Sequence, residues 1–142
     1  FGNAATCYQD EKGHIVGSSR TKAPELLGAQ IRPTVQSEIW SIGILMYRML
    51  SGEYPFPYSK VYTSWDRHSY ECYLRKKIIS TMCNENEREE IFSKLYQVAE
   101  SCIVNIVKKA LQIERKKRYP NYTEMVNDIE IAKGTILELY SL

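Results

Sequence analysis

Histidine is scarce in this sequence and paired cysteine is missing. Its 142 residues include two histidines, His14 and His68, and four cysteines, Cys7, Cys72, Cys83 and Cys102, no two of them spaced as C-x-x-C. That removes the ligand spacing of a zinc site and of a small disulfide scaffold. It leaves reduced thiols in an intracellular compartment, cytoplasmic or nuclear, as the reading. Charge of one sign is scarce as well: a net charge of +2 is too small to imply nucleic acid or a membrane surface as partner. No run is long enough to span a bilayer, since the longest apolar stretch, over residues 39–50, is short and carries Arg48. No signal peptide, internal repeat or low-complexity tract is visible, although the chain opens on Phe1 and not on Met. What remains is globular composition, 44% hydrophobic and 25% charged, at a length that suits one domain or one lobe of a larger one.

Residues 1–22 are polar, carry Gly2, Gly13 and Gly17, and show no helical period, so they read as a loop with room for a short strand. Pro24 punctuates the chain, and Glu25-Leu26-Leu27 is expected to form a single helical turn. Residues 38–50 are apolar on every side, the pattern of a helix buried in the middle of something larger. Gly52 is its stop, and Pro55 and Pro57 prevent resumption. Residues 57–69 read as a polar and aromatic excursion on the surface. Its cluster, Tyr58, Tyr62 and Trp65 with Tyr70 and Tyr73 beyond, suits either a docking surface or a wedge onto its own domain. Tyr70, Leu74 and Ile78 predict a short helix over 70–80. Asn86 with Glu89 predicts a capping box. Ile91, Phe92, Leu95, Val98 and Ala99 mark one helical face, and Ile103, Ile106, Val107, Ala110 and Leu111 mark another, with the cleanest period in the chain. Asn121 with Glu124 predicts a second box, opening a helix that carries Met125, Val126 and Ile129. The sum is an all-α bundle behind an irregular N-terminal segment.

Several short motifs follow one another in fixed order. Phe1-Gly2 opens the chain. Gly17-Ser18-Ser19-Arg20-Thr21-Lys22 runs into Ala23-Pro24-Glu25. Ser37-Glu38-Ile39-Trp40-Ser41-Ile42-Gly43 is followed by Tyr47, Gly52 and Pro55-Phe56, and Leu111-Gln112-Ile113-Glu114-Arg115-Lys116-Lys117-Arg118 closes the series. Each alone is weak, but their order and spacing resemble the C-terminal lobe of a eukaryotic-type protein kinase, entered partway through its Asp-Phe-Gly motif. The resemblance covers residues 1 to about 132.

The resemblance implies roles residue by residue. Phe1 and Gly2 are similar to the end of the nucleotide and metal loop, whose Asp holds magnesium. Gly17, Ser18, Thr21 and Lys22 correspond to the protein-substrate shelf. Ser18 falls where serine/threonine kinases keep a hydroxyl that contacts the catalytic Asp and Lys, and the Pro-x-Lys-Trp of tyrosine kinases is missing. Glu25 is expected to pair with Arg118 in a buried clamp. Glu38, Trp40 and Gly43 belong to the scaffold helix. Three departures stand out. Thr21 replaces a Tyr, which loosens the shelf. Glu38 replaces an Asp that accepts N–H bonds from the catalytic loop, and its extra methylene changes the reach. His14 stands where loop-phosphorylated kinases carry a hydroxyl.

The implied fold is mainly α, a protein kinase-like C-terminal lobe. Its expected divisions are an activation segment over 1–25, a helical lobe over 26–132 and a helical tail over 133–142. The implied function is that of a serine/threonine kinase, using ATP and magnesium to modify protein substrates, with the rest of the kinase domain as partner. No catalytic residue and no metal ligand of that reaction falls in this chain, so the chain alone is expected to be inactive. The alternative is a pseudokinase, scaffold or docking module that has lost transfer.

Overall fold

The central helix is set by its caps. Thr34 Oγ1 accepts from the Ser37 N–H at 3.3 Å while Ser37 Oγ accepts from the Thr34 N–H at 2.6 Å, a reciprocal capping box. Helix α1 runs from there over Val35–Ser51 and stops at Gly52, whose φ of 79° is the left-handed cap conformation. The computed structural model describes residues 8–9, 15–16, 19–56 and 66–141.

Among the described residues α2 (Arg67–Cys83), α3 (Glu85–Tyr96), α4 (Ser101–Ala110) and α5 (Tyr122–Tyr140) follow, with 3-10 turns at Pro24–Leu26 and Arg115–Lys117. Ahead of them, β1 (Tyr8–Gln9) and β2 (Ile15–Val16) pair antiparallel, Tyr8 opposite Val16. The architecture is therefore mainly α, as the sequence implies.

Helix α1 feeds two apolar clusters, which explains why it lacks a polar face. Trp40, Ile44 and Tyr47 join Leu27, Phe56, Leu74, Phe92 and Leu95 on one side. Ile39 joins Ile106, Ala110, Tyr119, Met125 and Ala132 on the other. Gly43 lies where α1 meets α4: a Cβ there would stand 2.8 Å from Ala110 Cβ and 2.9 Å from Leu111 Cδ2. The expected burial on every side is incomplete. Ile42, Leu45, Met46 and Leu50 are half-buried and Met49 is 82% exposed, because the elements packed against α1 leave that flank uncovered.

The junctions differ from the sequence reading in instructive ways. The helix expected over 70–80 begins earlier, because Asp66 Oδ1 takes the Ser69 N–H at 2.8 Å and caps it there. The box expected at Asn86 and Glu89 is displaced: Asn84 Oδ1 accepts from the Glu87 N–H at 3.1 Å. Asn84 also closes α2 by donating its own N–H to the Ser80 and Thr81 carbonyls. One residue serves both helix ends, so Asn86 lies inside α3. Val98, expected on the apolar face, falls beyond α3 and is 57% exposed. Asn121 does cap α5, accepting from the Glu124 N–H at 2.9 Å. That helix runs unbroken through residue 133, where the tail was expected to begin.

Candidate functional site

Pro24 pre-sets the backbone for a turn, and Ala23, Leu26 and Leu27 are buried beneath it. This anchors residues 19–28 and sends the Glu25 carboxylate toward the far end of the fold. Arg118 meets it there with two parallel bonds of 2.8 Å, Nη1 to Oε2 and Nη2 to Oε1. Nη1 also donates to the Gln36 carbonyl at 3.2 Å, Nη2 to Ile113 at 3.1 Å and Nε to Gln112 at 2.6 Å. All five guanidinium N–H groups are therefore used. That is what permits a fully buried Arg118 side chain, since a buried charge is costly unless paired and hydrogen-bonded. The guanidinium also lies 5.1 Å over the Trp40 ring, and Trp40 stacks on Phe56 with centroids 6.0 Å apart and planes 5° from parallel.

A second junction holds the other end of the segment. Ser41 Oγ donates to the Thr21 carbonyl at 2.6 Å, tying the chain to α1. Glu71, on α2 and almost fully buried, gathers four donors: Ser19 Oγ at 2.7 Å, Lys22 Nζ at 3.0 and 3.1 Å, the Gly28 N–H at 3.2 Å and Arg67 Nε at 3.5 Å. Burial works against its charge, but the bonds from Ser19 and Lys22, the Lys22 charge and the Gly28 N–H outweigh it. They hold the carboxyl below the ordinary glutamate range. Gly28 fits because it has no side chain: its φ is 72°, and a Cβ would lie 2.6 Å from Cys72 Sγ. Below the site, Tyr47 donates its hydroxyl to the Ile91 carbonyl at 2.8 Å. Burial first, then the Glu53 charge, push this phenol up to about 12.

The sequence-derived site residues distribute unevenly. Phe1, Gly2, Gly17, Ser18 and His14 lie outside the described residues, as do Tyr58, Tyr62 and Trp65. Thr21, Lys22 and Glu25 go to three different partners: the Thr21 carbonyl to Ser41, Lys22 to Glu71 and Glu25 to Arg118. Glu38 sits half-buried in the first turn of α1, where the helix dipole favours a negative charge; its side chain makes no hydrogen bond to the described residues. Trp40 is fully buried, and its Nε1 finds no acceptor among the described residues. Glu71 and Ser19 are the residues that sequence reasoning missed. The signal available was Glu71 set four residues from Arg67 and from Arg75 on one helix face.

A family model for the protein kinase domain matches residues 1–129, nearly the whole chain. The chain belongs to the protein kinase family. Among curated relatives, this kinase chain is 23% identical over 118 residues to serine/threonine-protein kinase PknD of Protochlamydia amoebophila (strain UWE25), covering 83% of the chain and 10% of that protein. It is 34% identical over 68 residues to testis-specific serine/threonine-protein kinase 1 of Mus musculus, covering 43% of the chain and 18% of the relative. Against testis-specific serine/threonine-protein kinase 2 of the same organism it is 37% identical over 68 residues, with 43% and 19% covered. The chain thus spans between a tenth and a fifth of the length of these relatives. Protein kinases generally use ATP and magnesium. Among the described residues there is no group of three His, Cys, Asp or Glu side chains able to hold a metal ion. No helix among them is long and apolar enough to cross a membrane.

Proposed function

We propose that this chain is the protein-substrate part of a serine/threonine kinase that transfers the γ-phosphoryl group of ATP to a protein hydroxyl. Residues 1–25 act as its activation segment, residues 26–132 as the helical lobe and residues 133–142 as a helical tail. Gly17, Ser18, Thr21 and Lys22 form the shelf that receives the substrate chain. Glu25 and Arg118 clamp that shelf to the lobe, and Glu38, Trp40 and Gly43 belong to the scaffold. ATP and magnesium would be held by a nucleotide-binding lobe and catalytic loop contributed by the rest of the kinase domain, and the protein would work inside the cell. Positioning is the contribution of this chain, since phosphoryl transfer depends on alignment and charge neutralisation.

The observation that carries the reading is the buried, bidentate Glu25–Arg118 pair, which joins the end of the shelf to residues 93 positions away. A longer protein holding this chain behind a nucleotide-binding lobe should label a serine- and threonine-containing protein from γ-labelled ATP. Ser18→Ala should abolish most of that transfer while nucleotide binding persists. Labelling confined to tyrosine, or unaffected by Ser18→Ala, would overturn the assignment.

One observation favours the second reading, a pseudokinase or docking module: Glu38 replaces the family's Asp, and its extra methylene changes the reach toward the catalytic loop. Nucleotide binding without transfer, with transfer appearing in Glu38→Asp, would select it.

A further inference from the structure

Thr21 stands where the family has a Tyr, a loss expected to loosen the shelf, yet residues 19–28 are tied to α2 by a different set of contacts. The convergence is specific. Ser19 reaches one Glu71 oxygen, Gly28 reaches the other, and Lys22 bridges both at 3.0 and 3.1 Å. Both carboxylate oxygens are thus occupied by the segment itself, and Arg67 adds a second cation from the preceding turn of α2. The side chains of Lys22 and Glu71 are 12% and 5% exposed, so water screens this pair little. The buried apolar residues of α2 are Leu74, Ile78 and Met82, with Tyr70 packed against the same cluster, and Glu71 is the buried polar side chain among them.

We propose that Glu71 is a positioning residue for protein-substrate binding, a latch on α2 that fixes the height of the shelf through Lys22, Ser19 and Gly28. The proposal rests on the kinase reading above and deepens it. The latch acts through charge-assisted bonds. Its loss moves the shelf relative to the substrate chain and leaves the nucleotide side alone. Lys22 and Glu71 share one charge-assisted contact, so their losses overlap instead of multiplying.

The test uses Glu71→Gln, Lys22→Met and the double variant, made in the longer kinase and in the 142-residue chain. In the kinase, each single variant should raise the KM for a peptide substrate about tenfold, the scale of one charge-assisted bond, with the KM for ATP unchanged. The double variant should also cost about tenfold, where independent effects would multiply to about a hundredfold. Equal shifts in both KM values, or multiplying losses, would overturn the latch. In the chain alone, amide exchange over residues 19–28 should accelerate in each single variant and no further in the double, while α4 stays protected. Unchanged exchange would also overturn it. If the longer protein transfers no phosphoryl group, the kinase reading fails and the exchange measurement still decides the latch. If Glu71→Gln does not fold, Lys22→Met reads the same contact from its more exposed side.

Discussion

Arg118 lies face-on to Trp40, its guanidinium carbon 5.1 Å from the ring centroid, while four of its N–H groups hold Glu25, Gln36 and Ile113. One buried cation therefore joins the Ala-Pro-Glu turn, the start of α1 and the chain ahead of α5. Glu25→Gln removes the charge and strands the guanidinium, which should cost about 3–5 kcal/mol of unfolding free energy. Arg118→Lys should cost nearly as much, because three donors on a point charge cannot replace a five-donor fork. Urea unfolding of the two variants checks both, and a loss below about 1 kcal/mol for either would show that the pair is not the joint described here.

The close approach of α1 to α4 is a separate feature. Valine at Gly43 would drive its side chain into Ala110 and Leu111, which are fully buried and cannot retreat into solvent. Gly43→Val should destabilise by about 1–3 kcal/mol, Leu111→Ala by about 2–5 kcal/mol, and the double variant should lose less than the sum of the two. Thermal melts of the three proteins would measure it.

The scaffold helix and its glycine stop could be read in residue type and order, whereas the Glu25–Arg118 partnership followed from the resemblance to the kinase family. Junctions were harder. Asn86 with Glu89 has the spacing of a cap as good as Asn84 with Glu87, and only the arrival direction of α2 decides between them. Glu71 was hidden for a similar reason: helical spacing shows which residues share a face, but not that Ser19 and Lys22 approach that face from 52 and 49 positions away. The cap choice is testable. Asn84→Ala should cost about 1 kcal/mol, and Asn86→Ala, on the exposed face of α3, should stay within about 0.5 kcal/mol of wild type.

Glu71 also sets a pH dependence. Its carboxyl is held below the usual range in the folded chain, so its contribution is fully present above the unfolded glutamate value of about 4.3 and fades as pH falls through the lower, folded value. The melting-temperature gap between wild type and Glu71→Gln should be constant from pH 7 down to about 5 and should narrow below about 4. A gap that widens on acidification would mean that the carboxyl is raised instead, with burial dominating over its four donors.

The last prediction concerns the outer surface of α5. Tyr122, Val126, Leu137 and Tyr140 recur at helical spacing and are all exposed, at 41%, 51%, 60% and 71%. The buried residues of the same helix, Met125 and Ala132, form a neighbouring stripe, so the apolar sector is wider than the helices of this chain cover. Met49 on α1 adds an exposed side chain elsewhere. Contiguous apolar surface above a few hundred Å² (roughly) is uncommon on monomers that stay dispersed. The isolated chain should therefore associate as its concentration rises, with the scattering mass growing through the micromolar range. Val126→Lys together with Leu137→Lys should hold it monomeric, and should leave the melting temperature little changed, because neither side chain is part of the buried stripe. A wild-type chain that scatters as a monomer at every concentration would show that this sector is too broken by Lys133 and its polar neighbours to act as one surface.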